Sequence, residues 1–477
     1  MPGNLLRSLP SIERLLERSV ASGLSASLGR EQVRDLLREI TNEMREEVIG
    51  GKWASETSGE SFIEEAERRL GLRAERRRQP SLRRVVNATG VILHTNLGRA
   101  PLAAEAARAV SGIAADYSNL EYDLARGERG RREMHCQELL ARLTGSEAAV
   151  VANNNAAAVL LVLNTLAEGG EVIVSRGEMI EIGGSFRIPD VMTKSGAILR
   201  EVGTTNRTRV SDYANAINDR TRLILRVHPS NYRIIGFTER PSSRQIAELA
   251  TARGVPSFED LGSGCLIDLA PYGVKDEPVV RDSIDAGISV VSFSGDKMLG
   301  GPQAGIIAGS RHIVDRVRKN PLMRALRVDK MTYAGIEATL RLYERGAATS
   351  EVPVIRAIAM TREQIGTRAA ELGDAIARAS NGRLKATLEE GASVIGGGSA
   401  PEVRLPTILV ALEDAELSAA SLEERLRGHR VPIIARTERD RVLIDVRTVL
   451  PGEEAIILEA VAALAQPAPE IAASVEL

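Results

Sequence analysis

The chain has 477 residues, of which 43% are hydrophobic and 26% charged, with a formal net charge of −2. That length exceeds one small domain and suits a large core domain with one or two appendages, while the near-neutral balance excludes a global field for nucleic acid or membrane, so any such site must be local. Aromatics at 3% argue against a base-stacking platform for single strands, and two distant cysteines, Cys136 and Cys265, form no disulfide framework and no metal-ligand spacing.

The N-terminal stretch MPGNLLRSLPSIERLLERSV carries Glu13 and Glu17 and lacks the apolar centre of an export signal. A soluble, cytoplasmic protein is expected. Residues 1–80 read as a small helical unit. In GREQVRDLLREITNEMREEVIGG, Val33, Leu36, Leu37, Ile40, Met44 and Val48 follow helical spacing, and Gly50-Gly51 stops the run. Ser61-x-x-Glu64 has the form of a capping box and predicts a second helix through Leu70. Between Arg68 and Arg84 stand eight arginines and one acid, Glu75. Two readings stay open for them: a solvated helix face with its linker, or a patch that tracks nucleic-acid phosphates.

Over residues 81–345 the pattern changes to short β-branched runs alternating with helical stretches. The runs are AAVVAN (148–153), EVIVS (171–175), GAILREV (196–202), TRLILRV (221–227), VPSFED (255–260), ISVVSFS (288–294) and AGIIAG (304–309). This alternation predicts a mostly parallel sheet wrapped by helices. HCQELLARLTG ends a helix on Gly145, and NNNAAAVLLVLNTLAEGG opens a helix on asparagines and closes it on Gly-Gly. The apolar part of that helix, 156–163, is far too short to span a bilayer. Residues 346–477 begin with a helix-rich connection, followed by the Gly/Ser-rich GASVIGGGSAPEV (391–403). LPTILVAL, VPIIART and RVLIDVR then read as strands, with SLEERLRG and EEAIILEAVAALA as helices, so a smaller α+β domain is expected. The tail QPAPEIAASVEL reads as loosely held.

Lys297 falls just past ISVVSFS, where a doubly wound sheet presents its strand ends to ligands. A partly desolvated lysine there has a lowered amine pKa and can form a Schiff base. Backbone N–H groups at the helix start after Asn153-Asn154-Asn155 can receive a phosphate. Asp260, at the end of VPSFED, is of the right type to pair with a protonated pyridine nitrogen. Taken singly, each has a bland alternative as a surface lysine, a helix cap or a structural aspartate. Their order along the chain points to pyridoxal 5'-phosphate.

Longer motifs sharpen this. LPSIERLL (9–16), NATGVILHTNLGRAPL (87–102), NLEYDLARGERGRR (119–132), SRGEMIEIGGSFRIPDV (175–191), EVGTTNRT (201–208), VHPSNYRIIGFT (227–238), EDLGSG (259–264), SFSGDKMLGGPQAG (292–305) and GGGSAPEVRLPT (396–407) closely resemble the bacterial selenocysteine synthase family, the L-seryl-tRNA(Sec) selenium transferases. The resemblance covers nearly the whole chain; MHCQELL (134–140) departs somewhat from the common form but keeps His135. It implies a fold-type-I pyridoxal-phosphate transferase that converts seryl-tRNA(Sec) to selenocysteinyl-tRNA(Sec) with selenophosphate, through an aminoacrylyl-tRNA. Lys297 is implied as the Schiff-base lysine and general base, and Asp260 as the partner of the pyridine nitrogen. Asn154, Asn155 and Ser294 are implied at the cofactor phosphate, and His94 near the cofactor, although a packed or capping role serves His94 and His228 equally well.

A multiply charged anion needs fixed positive charge. The resemblance assigns this to Arg99, Arg132, Arg324 and Arg327, with Asp296 placed to orient an arginine or the leaving group. A solvated helix face is the alternative for Arg324 and Arg327. Arg436 and Arg447 lie where enzymes acting on free amino acids clamp a carboxylate, and the acid that protonates the leaving hydroxyl is not identified. A homo-oligomer of dimers, a decamer, is also implied, with residues 1–80 as a tRNA-binding unit. The competing expectations are an ammonia-lyase or β-eliminating lyase of the related pyridoxal-phosphate group, which would not need residues 1–80, and a non-catalytic tRNA-binding protein.

Overall fold

A computed structural model describes residues 2–54, 57–78, 80–182 and 186–465. It divides into two compact units, Met1–Arg84 and Val85–Leu477. The tail 466–477 lies outside the described residues.

The first unit is helical. Its long helices, Arg30–Ile49 and Gly59–Arg78, bury Val33, Leu37, Ile40, Met44, Phe62, Ile63 and Leu70 in a core of their own. The second helix differs from expectation at both ends. Its first turn is closed by Ser58, whose hydroxyl accepts the Ser61 N–H (3.2 Å), rather than by Ser61, and it runs on past Leu70 to Arg78. The arginines of this helix are divided. Arg69 grips Glu47 and Glu65, and Arg73 pairs with Glu39 and Glu43, whereas Arg76, Arg77 and Arg78 are exposed in the last turn, with Arg77 reaching Glu39 only at 3.9 Å.

The second unit is organised by a seven-stranded sheet. Its strands are β1 (Ala148–Ala152), β2 (Glu171–Ser175), β3 (Ile198–Val202), β4 (Thr221–Val227), β5 (Ser257–Gly262), β6 (Val290–Ser294) and β7 (Gly305–Gly309). They lie in the order β1-β7-β6-β5-β4-β2-β3. Only β7 runs antiparallel to its neighbours. Each strand falls within or within two residues of its expected run; β1, β2, β5, β6 and β7 are buried throughout, and the edge strand β3 is the exposed exception. Apolar clusters cover both faces, one including Leu261, Phe293 and Ile306, the other Val150, Leu161 and Leu225.

A second sheet, antiparallel, is formed by β8 (Leu384–Gly396), β9 (Ser399–Asp414), β10 (Arg436–Glu438) and β11 (Arg441–Asp445) in the order β8-β9-β11-β10. Here the Gly/Ser-rich stretch, given no element by sequence pattern, is the end of a long β8–β9 hairpin. Its tip turns through Gly396, Gly397 and Gly398, all at positive φ. VPIIART is split: Ile433–Ile434 pairs in parallel with Val86–Asn87 instead of joining the small sheet. Among the described residues, no helix is long and apolar enough to cross a membrane.

Gly305 has a specific job at the start of β7. A Cβ there would stand 2.1 Å from the Asn154 carbonyl oxygen, so only glycine lets this strand pass the helix start at Asn155. Gly112, exposed within helix Ala104–Ala115, meets nothing within 4 Å. Gly305→Ala is therefore expected to lower stability by about 1–3 kcal/mol, and Gly112→Ala to raise it by about 0.5–1 kcal/mol. Denaturant titration of the two variants checks both signs.

Candidate active site

Lys297 sits in a tight turn between β6 and β7. The turn is pinned by Gly295 N–H donating to Ala304 O (2.8 Å) and Gly301 N–H to Gly295 O (2.8 Å). The buried Tyr343 hydroxyl adds bonds to Met298 O (3.2 Å) and Leu299 O (3.0 Å). The lysine is thus held on rigid backbone with 6% of its surface exposed. Burial lowers its amine pKa, and the Arg99 guanidinium lowers it further, against the opposing pull of Asp260, Asp296 and Glu277.

Asp260, near the end of β5, is in register with Ser292 of β6, just before a bulge at Gly262. Its Oδ1 accepts from Asn155 Nδ2 (2.8 Å) and Gly262 N–H (3.0 Å). Burial raises this carboxyl above the usual range, with those donors working against the rise. Asn155 is thus aimed at the aspartate. The Asn154 side chain caps its own helix, accepting from Ala157 N–H (2.9 Å). With the Asn154 side chain on its own helix and the Asn155 amide on Asp260, it is the backbone N–H groups of the first helical turn that face outward for an anion. Ser294 is buried at the end of β6.

Arg99 Nη1 meets Asp296 Oδ2 at 2.8 Å, and Ala100 N–H donates to Asp296 O (3.3 Å), which joins the NLGR loop to the lysine turn. Arg132 and Arg327 form another group around Glu121, at 2.5 and 3.6 Å, beside Asn153, whose N–H bonds Leu326 O (2.8 Å). Arg324 stands apart. It is exposed on the short helix Leu322–Leu326 and has no ion pair among the described residues, the arrangement of a solvated face within this chain. His228 is held neutral, its pKa lowered to about 4 by burial and by Arg240 and Arg226. It borders a cavity of about 260 Å³ that also reaches Tyr232, Arg233 and Ala400. Arg447 is buried and spends four of its five side-chain N–H groups on Ser393 Oγ, Ala357 O, Met360 O and Pro406 O.

Residues that sequence pattern did not single out share the pocket. A Cβ on Gly398, at the β8–β9 tip, would lie 3.8 Å from Lys297 Nζ and 3.7 Å from Ser230 Oγ. Ser230 Oγ, Asn155 Oδ1, Ser399 Oγ and His94 Nδ1 are buried without a hydrogen-bond partner among the described residues. Buried polar atoms are ordinarily satisfied, so this set marks a polar ligand. Together with a Schiff-base-competent amine and a buried carboxylate, it fits pyridoxal phosphate.

The class defined by this sheet order and strand-end lysine is fold type I of the pyridoxal-phosphate enzymes. The chain is similar to a solved D-glucosaminate-6-phosphate ammonia-lyase, with a TM-score of 0.55 and 21% identity, covering 80% of this chain and 96% of that one. The family described as L-seryl-tRNA selenium transferase matches residues 85–450, and the selenocysteine synthase N-terminal family matches residues 6–45. The chain is 46% identical to the L-seryl-tRNA(Sec) selenium transferase of Geobacter metallireducens, covering 97% of this chain and 99% of the relative. It is 48% identical to that of Hyphomonas neptunium, covering 96% and 98%. The chain belongs to the L-seryl-tRNA selenium transferase family.

Arg99 and Asp296 act on Lys297 with opposite signs. Arg99→Ala removes a repelling charge and leaves Asp296 uncompensated, so the lysine pKa is expected to rise; Asp296→Asn does the reverse. The pH dependence of Lys297 acetylation in the cofactor-free protein, read by mass spectrometry, should move in opposite directions in the two variants.

Proposed function

We propose that this chain is a cytoplasmic pyridoxal-phosphate enzyme that converts L-seryl-tRNA(Sec) to L-selenocysteinyl-tRNA(Sec), with selenophosphate as selenium donor. The observation that carries the reading is a buried lysine amine of lowered pKa, flanked by a buried aspartate and an arginine–aspartate pair, in a chain about 46% identical to such transferases along nearly its whole length. The related lyase is disfavoured because these full-length relatives are transferases and include the N-terminal unit.

Bound pyridoxal phosphate supplies an electron sink that acidifies the seryl Cα–H. Lys297 would hold the group, and its Nζ would take the α-proton; its lowered pKa keeps more of the amine neutral for that task. Asp260 would hold a proton on the pyridine nitrogen, and Asn155 fixes the carboxylate's orientation. Backbone N–H groups at the start of helix Asn155–Ala167 would receive the phosphate. Arg99, oriented by Asp296, and Arg132 with Arg327 bind the selenophosphate oxyanions. Arg324, exposed within one chain, joins them in an assembly of dimers, which we take to be a decamer.

Arg447, buried with four of its five N–H groups on backbone carbonyls and Ser393, is committed to the fold rather than to a bidentate grip on a free α-carboxylate. An aminoacyl ester has no such charge to clamp. The helical unit 1–80 binds the tRNA by shape and backbone, with Arg76, Arg77 and Arg78 toward phosphates.

Purified protein given seryl-tRNA(Sec) and selenophosphate should form selenocysteinyl-tRNA(Sec). Lys297→Ala should lose the protein-bound cofactor absorbance and at least about 10³-fold of the activity. Removal of residues 1–80 should weaken tRNA(Sec) binding by at least about tenfold in a filter-binding assay while keeping the cofactor absorbance. Wild-type protein that stays colourless with pyridoxal phosphate would overturn the reading.

A further inference from the structure

Glu277 is a buried acid for which the reaction as described has no use. It stands 8% exposed in the segment between β5 and β6. One oxygen, Oε2, accepts the Ala400 N–H at 2.9 Å. The other, Oε1, accepts from the Ser263 hydroxyl. Ser263 follows Gly262, whose N–H bonds Asp260; Ala400 follows the glycine tip that lies against Lys297. One carboxyl therefore bridges the turn behind the cofactor aspartate and the hairpin that roofs the lysine, 137 residues apart in the chain by the numbers of the two partners, 400 − 263.

The roof needs a fastener. The hairpin tip is built from backbone that resists its own conformation: Ala400 at φ 42° and Glu402 at φ 71° are non-glycine residues in the left-handed region, a placement that surrounding contacts must enforce. A single Ala400 N–H bond to a buried carboxyl supplies such a contact at the strained residue itself. On its other side the tip is held by the Leu93 N–H, which donates to Ile395 O (2.7 Å), and between these two anchors lie three consecutive glycines.

We propose that Glu277 is a positioning residue, a latch that holds the Gly396–Ala400 tip closed over Lys297 and keeps water from its amine. Its chemistry suits the task. Burial raises the carboxyl to about 7, opposed by the Ala400 N–H and by Lys297, so a neutral glutamine can reproduce both bonds: its carbonyl accepts from Ala400 and its amide donates to Ser263. Alanine can make neither. The inference rests on Lys297 as the cofactor lysine, but its structural half does not need the cofactor.

The test uses the full-length, cofactor-free protein. Hydrogen–deuterium exchange of peptides covering 394–402 should be roughly tenfold faster or more in Glu277→Ala than in wild type, and within about twofold of wild type in Glu277→Gln. Ser263→Ala, which leaves Ala400 its acceptor but removes the second anchor, should fall between them and serves if Glu277→Ala does not fold. The pH midpoint of Lys297 acetylation gives an independent readout. Four charged groups act on that amine, Arg99, Asp260, Asp296 and Glu277. Both Glu277 variants remove the same carboxylate, which lowers the midpoint, but only alanine also admits water, which raises it. The alanine midpoint must therefore lie above the glutamine midpoint. Tip exchange in Glu277→Ala within about twofold of wild type, exchange in Glu277→Gln as fast as in Glu277→Ala, or identical midpoints in the two would overturn the latch. Wild-type protein that takes up no pyridoxal phosphate would instead overturn the assignment of Lys297, leaving the exchange result standing.

Discussion

Everything in the large unit serves the burial of one primary amine. A lysine ammonium resists leaving water unless it is compensated, and a partly desolvated one gives up its proton more readily. Here compensation and penalty are balanced around Lys297: Asp260, Asp296 and Glu277 favour the charged form, while burial and Arg99 oppose it, and the opposition wins. The turn that carries the lysine is tied to β7, to Tyr343 and to the loop of Arg99, so the balance is set by backbone that cannot drift.

The sheet explains why these groups meet. Parallel β5 and β6 deliver Asp260 and Ser292 side by side, and the helix beginning at Asn155 comes off β1, two strands from β6, so that Asn155 reaches the same aspartate. Antiparallel β7 lets the chain return directly after Lys297 instead of crossing over through a helix. That return places Gly305 under the carbonyl of Asn154. The helix start at Asn155 and the lysine turn are thereby locked to one another by close packing.

How far this was legible from sequence depends on the kind of signal. The seven β-branched runs were plain because buried parallel strands have a composition of their own. Lys297, Asp260 and the helix start at Asn155 were legible as strand-end residues in a fixed order. The aim of a side chain was not: Asn154 and Asn155 have adjacent positions and the same chemistry, yet one caps a helix and the other orients a carboxylate. The β8–β9 hairpin was hidden by glycine and serine, which carry little strand preference even where they pair. Glu277 had no local pattern at all, since its partners lie in distant segments. In the N-terminal unit, composition alone could not separate the part-buried Arg69 and Arg73, which pair with glutamates, from Arg76, Arg77 and Arg78, which are exposed in the last turn.

The roof over Lys297 comes from a much later part of the chain. Gly398 is about 100 residues downstream of the lysine it covers, which at ribosomal speeds of about 5–20 residues per second is a delay of roughly 5–20 seconds. During translation the amine and its neighbouring aspartate are made, and the central sheet can assemble, before the covering hairpin exists. A nascent chain thus passes through a stage in which its most reactive nitrogen is open to any aldehyde in the cell, and closure of the pocket is timed by the synthesis of the small sheet.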